Sequence, residues 1–171
     1  MAAELLFTVA NSTRATTAAP VKQPTGTAIR TMLQLATVST GGIYIVEWGI
    51  SFDGSAAATP IQVELFGCTG AATMSTALAA TDVMTLTDSS GGSTANLQYS
   101  TALSAYATAA VTEGTVANYR SFDLQLIAPT NQYVKQFPLG REPQALLSTF
   151  VRVRVTAAAS VNCYTYIVMG Q

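Results

Sequence analysis

A chain of 171 residues is the size of one domain, with little left over for a second. Only 10% of its residues are charged, against roughly 25% in an ordinary soluble protein, while 49% are hydrophobic and Ala and Thr each supply about 15%. It has no histidine, which excludes Ser-His-Asp and Cys-His catalysis, histidine metal sites and a histidine pH switch; the formal net charge of −1 gives no global support to nucleic-acid binding. Such an apolar, weakly charged chain is expected to have part of its surface covered by copies of itself.

The opening residues Met1 to Val9 lack the basic segment and long apolar run of a secretory leader, and Glu4 interrupts them. No apolar stretch approaches the ~20 residues of a membrane span; the densest, Ile43 to Phe52, contains Glu47. The expectation is a protein made in a cytoplasm and not inserted in a membrane. Cys68 and Cys163 each lie in an apolar, strand-like run, where a free thiol behaves as a small hydrophobe. A redox pair or covalent staple is the alternative reading.

In chain order, Glu4 to Val9 reads as a short strand. Ala10 to Thr27 then carries Pro20, Pro24 and Gly26 and shows neither a helical nor a strand period, so residues 1–27 are expected to form an N-terminal strand and an extended arm. Fully extended, the arm would reach roughly 50–60 Å. Its only charges, Arg14 and Lys22, are candidate contacts to an acidic neighbouring surface; the plainer reading is a loose surface loop.

Residues 28–171 read as the β domain. In Ile29 to Val38, period two puts Ile29, Thr31, Leu33 and Leu35 on one face and Arg30, Met32 and Gln34 on the other. After the Gly41-Gly42 turn, Tyr44, Val46, Trp48, Ile50 and Phe52 are expected to share a buried face. Asp53-Gly54-Ser55 is a turn, and Ile61, Val63 and Leu65 alternate with Gln62, Glu64 and Phe66. Met74 to Thr81 permits one or two helical turns, Asp82 to Thr87 a short strand, Ser89 to Thr94 a loop tip, and Asn96 to Val116 an irregular stretch with one edge strand.

The last third is strongly β. Phe122, Leu124 and Leu126 alternate with Asp123 and Gln125, and Tyr133, Lys135 and Phe137 with Val134 and Gln136. Pro138 to Pro143 is a kinked connection. Leu147, Val151, Val153 and Val155 oppose Phe150, Arg152 and Arg154, and Val161 to Met169 follows a turn at Ala157 to Ser160, which suggests a terminal hairpin. Many short strands with turn signals and no long helix predict an all-β, antiparallel β-sandwich, with an eight-stranded jelly roll preferred. An immunoglobulin domain is disfavoured because Trp48 precedes both cysteines.

The acids are scattered singly. A glycosidase would need two carboxylates across a cleft; Glu47 and Glu64 lie on strands, but nothing in their spacing makes them face each other, and solvated or salt-bridged carboxylates are the plainer reading. Asp82 and Asp88 flank a short strand without the D-x-D-x-D-G pattern of a calcium loop, and neither Gly41-Gly42 nor Gly91-Gly92 has the Lys-Ser/Thr ending of a phosphate loop. Asn11-Ser12-Thr13 matches a glycosylation sequon, which carries no weight without a secretory route. Phe150, Arg152 and Arg154 share one face of a strand; they read as a contact surface or as a solvent-facing strand that resists edge pairing.

The runs EWGISFDGSAAATPIQVELFG (Glu47 to Gly67), SFDLQLIAPTNQYVKQFPLGRE (Ser121 to Glu142) and VRVRVTAAASVNCYTYIV (Val151 to Val168) resemble small virion proteins of tailed bacteriophages, jelly-roll structural proteins of which some decorate or cement the capsid as trimers. The resemblance implies a non-enzymatic homotrimer that binds the major capsid protein on the virion surface, without cofactor, nucleic acid or membrane. The other readings are a tail-fibre or spike head that binds a host glycan through Tyr99, Tyr106, Tyr119 and Tyr133, and a hydrolase using Glu47 and Glu64.

Overall fold

The structure, a computed structural model, describes residues 5–14, 17–55, 57, 59–86 and 99–171, with backbone only for 99–103. Among the described residues thirteen strands follow one another: β1 (Leu6–Ala10), β2 (Gln23–Pro24), β3 (Arg30–Thr37), β4 (Ile43–Asp53), β5 (Ile61–Cys68), β6 (Thr76–Ala77), β7 (Met84–Thr85), β8 (Tyr99–Tyr106), β9 (Arg120–Ile127), β10 (Gln132–Gln136), β11 (Gln144–Ala145), β12 (Phe150–Thr156) and β13 (Asn162–Gly170). They form two antiparallel sheets packed as a β-sandwich. The first runs β10-β4-β13-β1-β7, with β11 on β4 and β2 on β13; the second runs β6-β8-β3-β12-β5-β9.

Alternation explains the core. Val63 and Leu65 of β5, Val151, Val153 and Val155 of β12, and Ile167 and Met169 of β13 all turn inward and are fully buried. Each such side chain contributes roughly 1.5–3 kcal/mol relative to an exposed one. Two bulges shift the expected faces. Opposite Val168 and Met169 the register of β4 slips, so Ile43 and Ile45 point into the core before the slip and Trp48, Ile50 and Phe52 after it. Tyr44 and Val46 therefore face outward, against the simple period-two expectation. A second slip between Val153 and Arg154 leaves Met32 unpaired in β3. Met32 joins the core and Thr31 moves to the outer face.

Other expectations need correction. β12 and β13 are not a hairpin, because β12 pairs with β3 and β5 whereas β13 pairs with β4 and β1; the Ala157–Ser160 turn crosses between the sheets. Met74 to Thr81 holds β6 and the start of a single 3-10 turn, Ala80–Asp82, instead of an α-helical turn. The expected strand Asp82 to Thr87 shrinks to β7, and Asn96 to Val116 contains the eight-residue β8. Leu147 precedes its strand and is exposed. The boundary expected after residue 27 is absent: β1 lies between β13 and β7 and buries Phe7 and Val9 in the common core. The loop tip Ser89 to Thr94, with Gly91-Gly92, lies outside the described residues.

Candidate interaction surface

Part of the outer face of the second sheet is a roofed polar cluster. Arg152 is fully buried there. Its Nε donates to Thr31 Oγ1 at 3.0 Å and its Nη1 to the Gly70 carbonyl at 3.4 Å, while Nη2 pairs with Glu113. Arg154 Nε donates to Glu64 Oε1 at 2.7 Å, and Tyr119 donates to Glu64 Oε2 at 2.9 Å. The buried Phe66 ring lies under both guanidiniums, 5.2 Å from Arg152 and 4.6 Å from Arg154, with the Tyr119 ring 5.1 Å away. Burial pushes the Tyr119 phenol above its ordinary value. Two connections, residues 69–75 and 107–119, form this roof; they are tied to each other by Thr73 and Thr112 and to β3 by the Ala72 N–H donating to Gln34 Oε1 at 2.8 Å.

Phe150, Arg152 and Arg154 do share one face, as expected, but the chain's own residues cover much of it. Arg152 is inaccessible, the Arg154 side chain is only 14% exposed, and Phe150 is half-buried. A guanidinium under a roof needs an anion. Glu113, from a connection with no strand signal, supplies it.

The two basic residues of the expected arm are also engaged within the chain. Arg14 Nε donates to the Tyr164 hydroxyl at 3.3 Å and its Nη1 to Thr8 Oγ1 at 3.2 Å; Lys22 pairs with Asp53 at the surface. Asn11 is buried, with Oδ1 accepting the Thr165 N–H at 2.9 Å, and β2 rejoins β13 at Cys163. Both ends of segment 10–27 are thus laid along the chain's own first sheet.

The chemistry-bearing groups are separated or internally satisfied. Glu47 and Glu64 lie on the outer faces of different sheets, so they cannot flank one substrate; Glu47 accepts from Tyr166 at 2.7 Å. Asp123 points from β9 between the sheets and accepts from Trp48 Nε1 at 3.2 Å, Tyr133 at 2.9 Å and Gln125 at 2.8 Å, with Lys135 Nζ at 3.2 Å. Burial alone would raise its carboxyl; those donors outweigh burial and hold it below its ordinary value of 3.8. The same contact, after burial, pushes the Tyr133 phenol up to about 12. Asp82 accepts the backbone N–H groups of Arg14 and Ala79, while Asp88 lies outside the described residues. Among the described residues no three potential metal ligands come together, and no helix is long and apolar enough to cross a membrane. Cys68 and Cys163 are both free and buried, and burial pushes the Cys163 thiol up to about 12.

The tyrosines expected on glycan-binding loops are turned to other work. Tyr106 is buried against Thr13, Tyr133 is bonded to Asp123 and Tyr119 to Glu64; the side chain of Tyr99 lies outside the described residues.

Sequence patterning did not mark an exposed apolar segment. Segment 138–147 exposes Leu139 at 92%, Leu146 at 58% and Leu147 at 53%. Its backbone is well held: Arg141 N–H donates to the Pro138 carbonyl at 2.9 Å, Ile45 N–H to the Pro143 carbonyl at 2.9 Å, and Thr149 Oγ1 to the Leu146 carbonyl at 2.8 Å. Gly140 sits at φ +79°, which only glycine adopts freely. The available signal was a leucine between Pro138 and Gly140 and a Leu-Leu pair in a turn-rich stretch, positions with no strand face to hide on. Leu124 and Leu126 of β9 are exposed as well, at the free edge of the second sheet, where Asp123 Oδ1 occupies the Leu124 N–H at 3.1 Å.

No known family model matches the chain, and neither a curated protein nor a solved structure does.

Proposed function

We propose that this chain is a non-enzymatic virion structural protein: a self-associating, trimeric decoration or cement protein that binds the capsid exterior through the major capsid protein after synthesis in the host cytoplasm. One observation carries the reading. Nearly all the charged side chains among the described residues are engaged inside the chain, and large apolar side chains are left at the surface, Leu139, Leu146 and Leu147 among them on well-held backbone. That composition suits adhesion, and among the described residues no acid, base and nucleophile are gathered for turnover.

The strand order supports the jelly-roll form. With the inserted β8 and the two-residue strands set aside, the eight long strands run first, eighth, third, sixth in one sheet and second, seventh, fourth, fifth in the other. A subunit that binds only the assembled shell stabilises it by mass action, about 2.7 kcal/mol per site at a hundredfold excess over Kd. Three linked sites add avidity. The test is native mass followed by co-sedimentation with isolated capsid shells and localisation in intact particles. A trimer that co-sediments and raises the shells' disruption temperature is expected; absence from the particle exterior would overturn the reading.

A tail-fibre or spike head that binds glycan is favoured by one observation. The Tyr166 ring lies so close to Gly49 that a Cβ there would stand 2.5 Å from it, and Tyr164 lies on the same outer face of β13. Glycan-array hits lost on Tyr166→Ala would promote this reading.

A further inference from the structure

The chain carries eight Lys or Arg and nine Asp or Glu residues. Among the described residues, all but two of these side chains make a hydrogen bond or ion pair within the chain. Arg30 Nη1, for example, donates to the Pro24 carbonyl at 2.8 Å and Arg120 Nη1 to the Gln144 carbonyl at 3.3 Å. The two exceptions are Arg141 and Glu142. They are adjacent, of opposite sign, and lie between the exposed Leu139 and the exposed Leu146–Leu147 pair.

We propose that segment 138–147 is the surface through which copies of this chain associate, with Arg141 of one copy paired to Glu142 of the next and Leu139 seated on the neighbour. The proposal rests on the self-association reading and deepens it by naming the surface. Charge complementarity selects a second copy as the occupant. An adjacent Arg-Glu pair is its own complement, so in a closed ring each copy offers a cation to one neighbour and an anion to the other and no charge is left unmatched. An acidic or a basic partner would satisfy only one of the two.

The shape agrees. Leu139 projects as an apolar knob, and on the other side of Gln144 two hollows of about 280 and 230 Å³ flank Leu146. The first is bounded by Gly42, Ile43 and Leu147, the second by Gly67, Cys68 and Thr149. Each volume exceeds what one leucine side chain fills. Hydrogen bonds and β11 hold the segment's backbone on β4, so little ordering entropy opposes docking. The exposed β9 edge is the weaker candidate, because its own Asp123 blocks an edge N–H.

The test is native mass spectrometry over a concentration series for the full chain and for Leu139→Asp, Arg141→Glu, Glu142→Arg and the double swap Arg141→Glu/Glu142→Arg. The wild-type chain is expected to be oligomeric. Each single variant should weaken assembly by at least about tenfold, and the double swap, which restores opposite signs between neighbours, should recover most of it. Circular dichroism of the variants should match the parent, since Leu139 is 92% exposed and neither the Arg141 nor the Glu142 side chain makes a hydrogen bond or ion pair within its own chain. An oligomer that all three single variants leave intact would overturn this surface while the self-association reading survives. A wild-type monomer throughout the series would overturn both.

Discussion

The two sheets of this sandwich finish their outer faces in opposite ways. On the second sheet, Arg152, Arg154, Glu64 and Phe66 are roofed by two connections and lie away from solvent. On the first, Tyr164, Tyr166, Glu47 and Ser51 stay half-exposed, and Val134, Gln132 and Gln136 are exposed. The more strongly charged face is the more buried one. Charge does not mark the outside of a sheet when its members form complementary sets; Arg152 with Glu113 and Arg154 with Glu64 supply their own counter-ions, so a roof can close over them. Tyrosines whose hydroxyls already have partners need no roof.

Breaking the buried set should have the largest effect. Glu113→Gln leaves the Arg152 guanidinium enclosed without an anion and is expected to cost about 3–5 kcal/mol in urea unfolding, whereas Arg152→Met with Glu113→Leu should recover much of that loss. Equal losses from both would mean that the roof is held by backbone contacts alone. Next comes the cross-link between the sheets. Asp123→Asn weakens charge-assisted bonds from Trp48, Tyr133 and Lys135 and should cost about 1.5–3 kcal/mol. Because its folded value lies below 3.8, this carboxylate contributes stability above that pH and loses it as pH falls through the folded value. The asparagine variant should therefore show a flatter acid limb in a pH series of unfolding midpoints.

The open face should respond to alkali. Burial and the bond to Glu47 push the Tyr166 phenol up to about 12 from 10.0, so its contribution is complete below pH 10 and lost as pH rises from 10 to 12. Tyr133 behaves alike. Tyr166→Phe should cost about 0.5–1.5 kcal/mol near neutrality and reduce the alkaline loss; spectrophotometric titration of tyrosinate checks it. The smallest effect belongs to the surface ion pair. Lys22 and Asp53 are 52% and 59% exposed, and Lys22→Ala should shift stability by less than about 0.5 kcal/mol, a loss that salt abolishes.

Much of the sandwich was legible because its strands alternate. Val63, Leu65, Val151, Val153 and Val155 turn inward as period two requires. The same rule failed at Tyr44, Val46 and Met32, where a bulge adds one residue and reverses the phase of everything beyond it. On β9 the alternation is correct, yet Asp123 and Gln125 go in while Leu124 and Leu126 go out, because Trp48, Tyr133 and Lys135 of the other sheet wait for a carboxylate. For the arm, Pro and Gly between residues 10 and 27 signal the absence of a regular element and say nothing of packing, so the docking of its ends at Asn11 and Gln23 along β13 could not be read from them. The five candidate contact residues were chosen as rare charges and an aromatic neighbour. The four charged ones proved to be engaged within the chain, and the free pair, Arg141 and Glu142, lies in a kinked connection with no strand face to mark it.

By itself the sequence determined the all-β class, the positions of most of the long strands and the exclusion of histidine chemistry, since these follow from composition and from patterns a few residues long. Tertiary structure alone decided which face of each strand is the inner one, and which charges neutralise one another. Those depend on partners far apart in the chain, such as Thr31 and Glu113 on either side of Arg152, separated from it by 121 and 39 residues. No local period carries that information; only the pairing of sheets brings such groups within hydrogen-bonding distance.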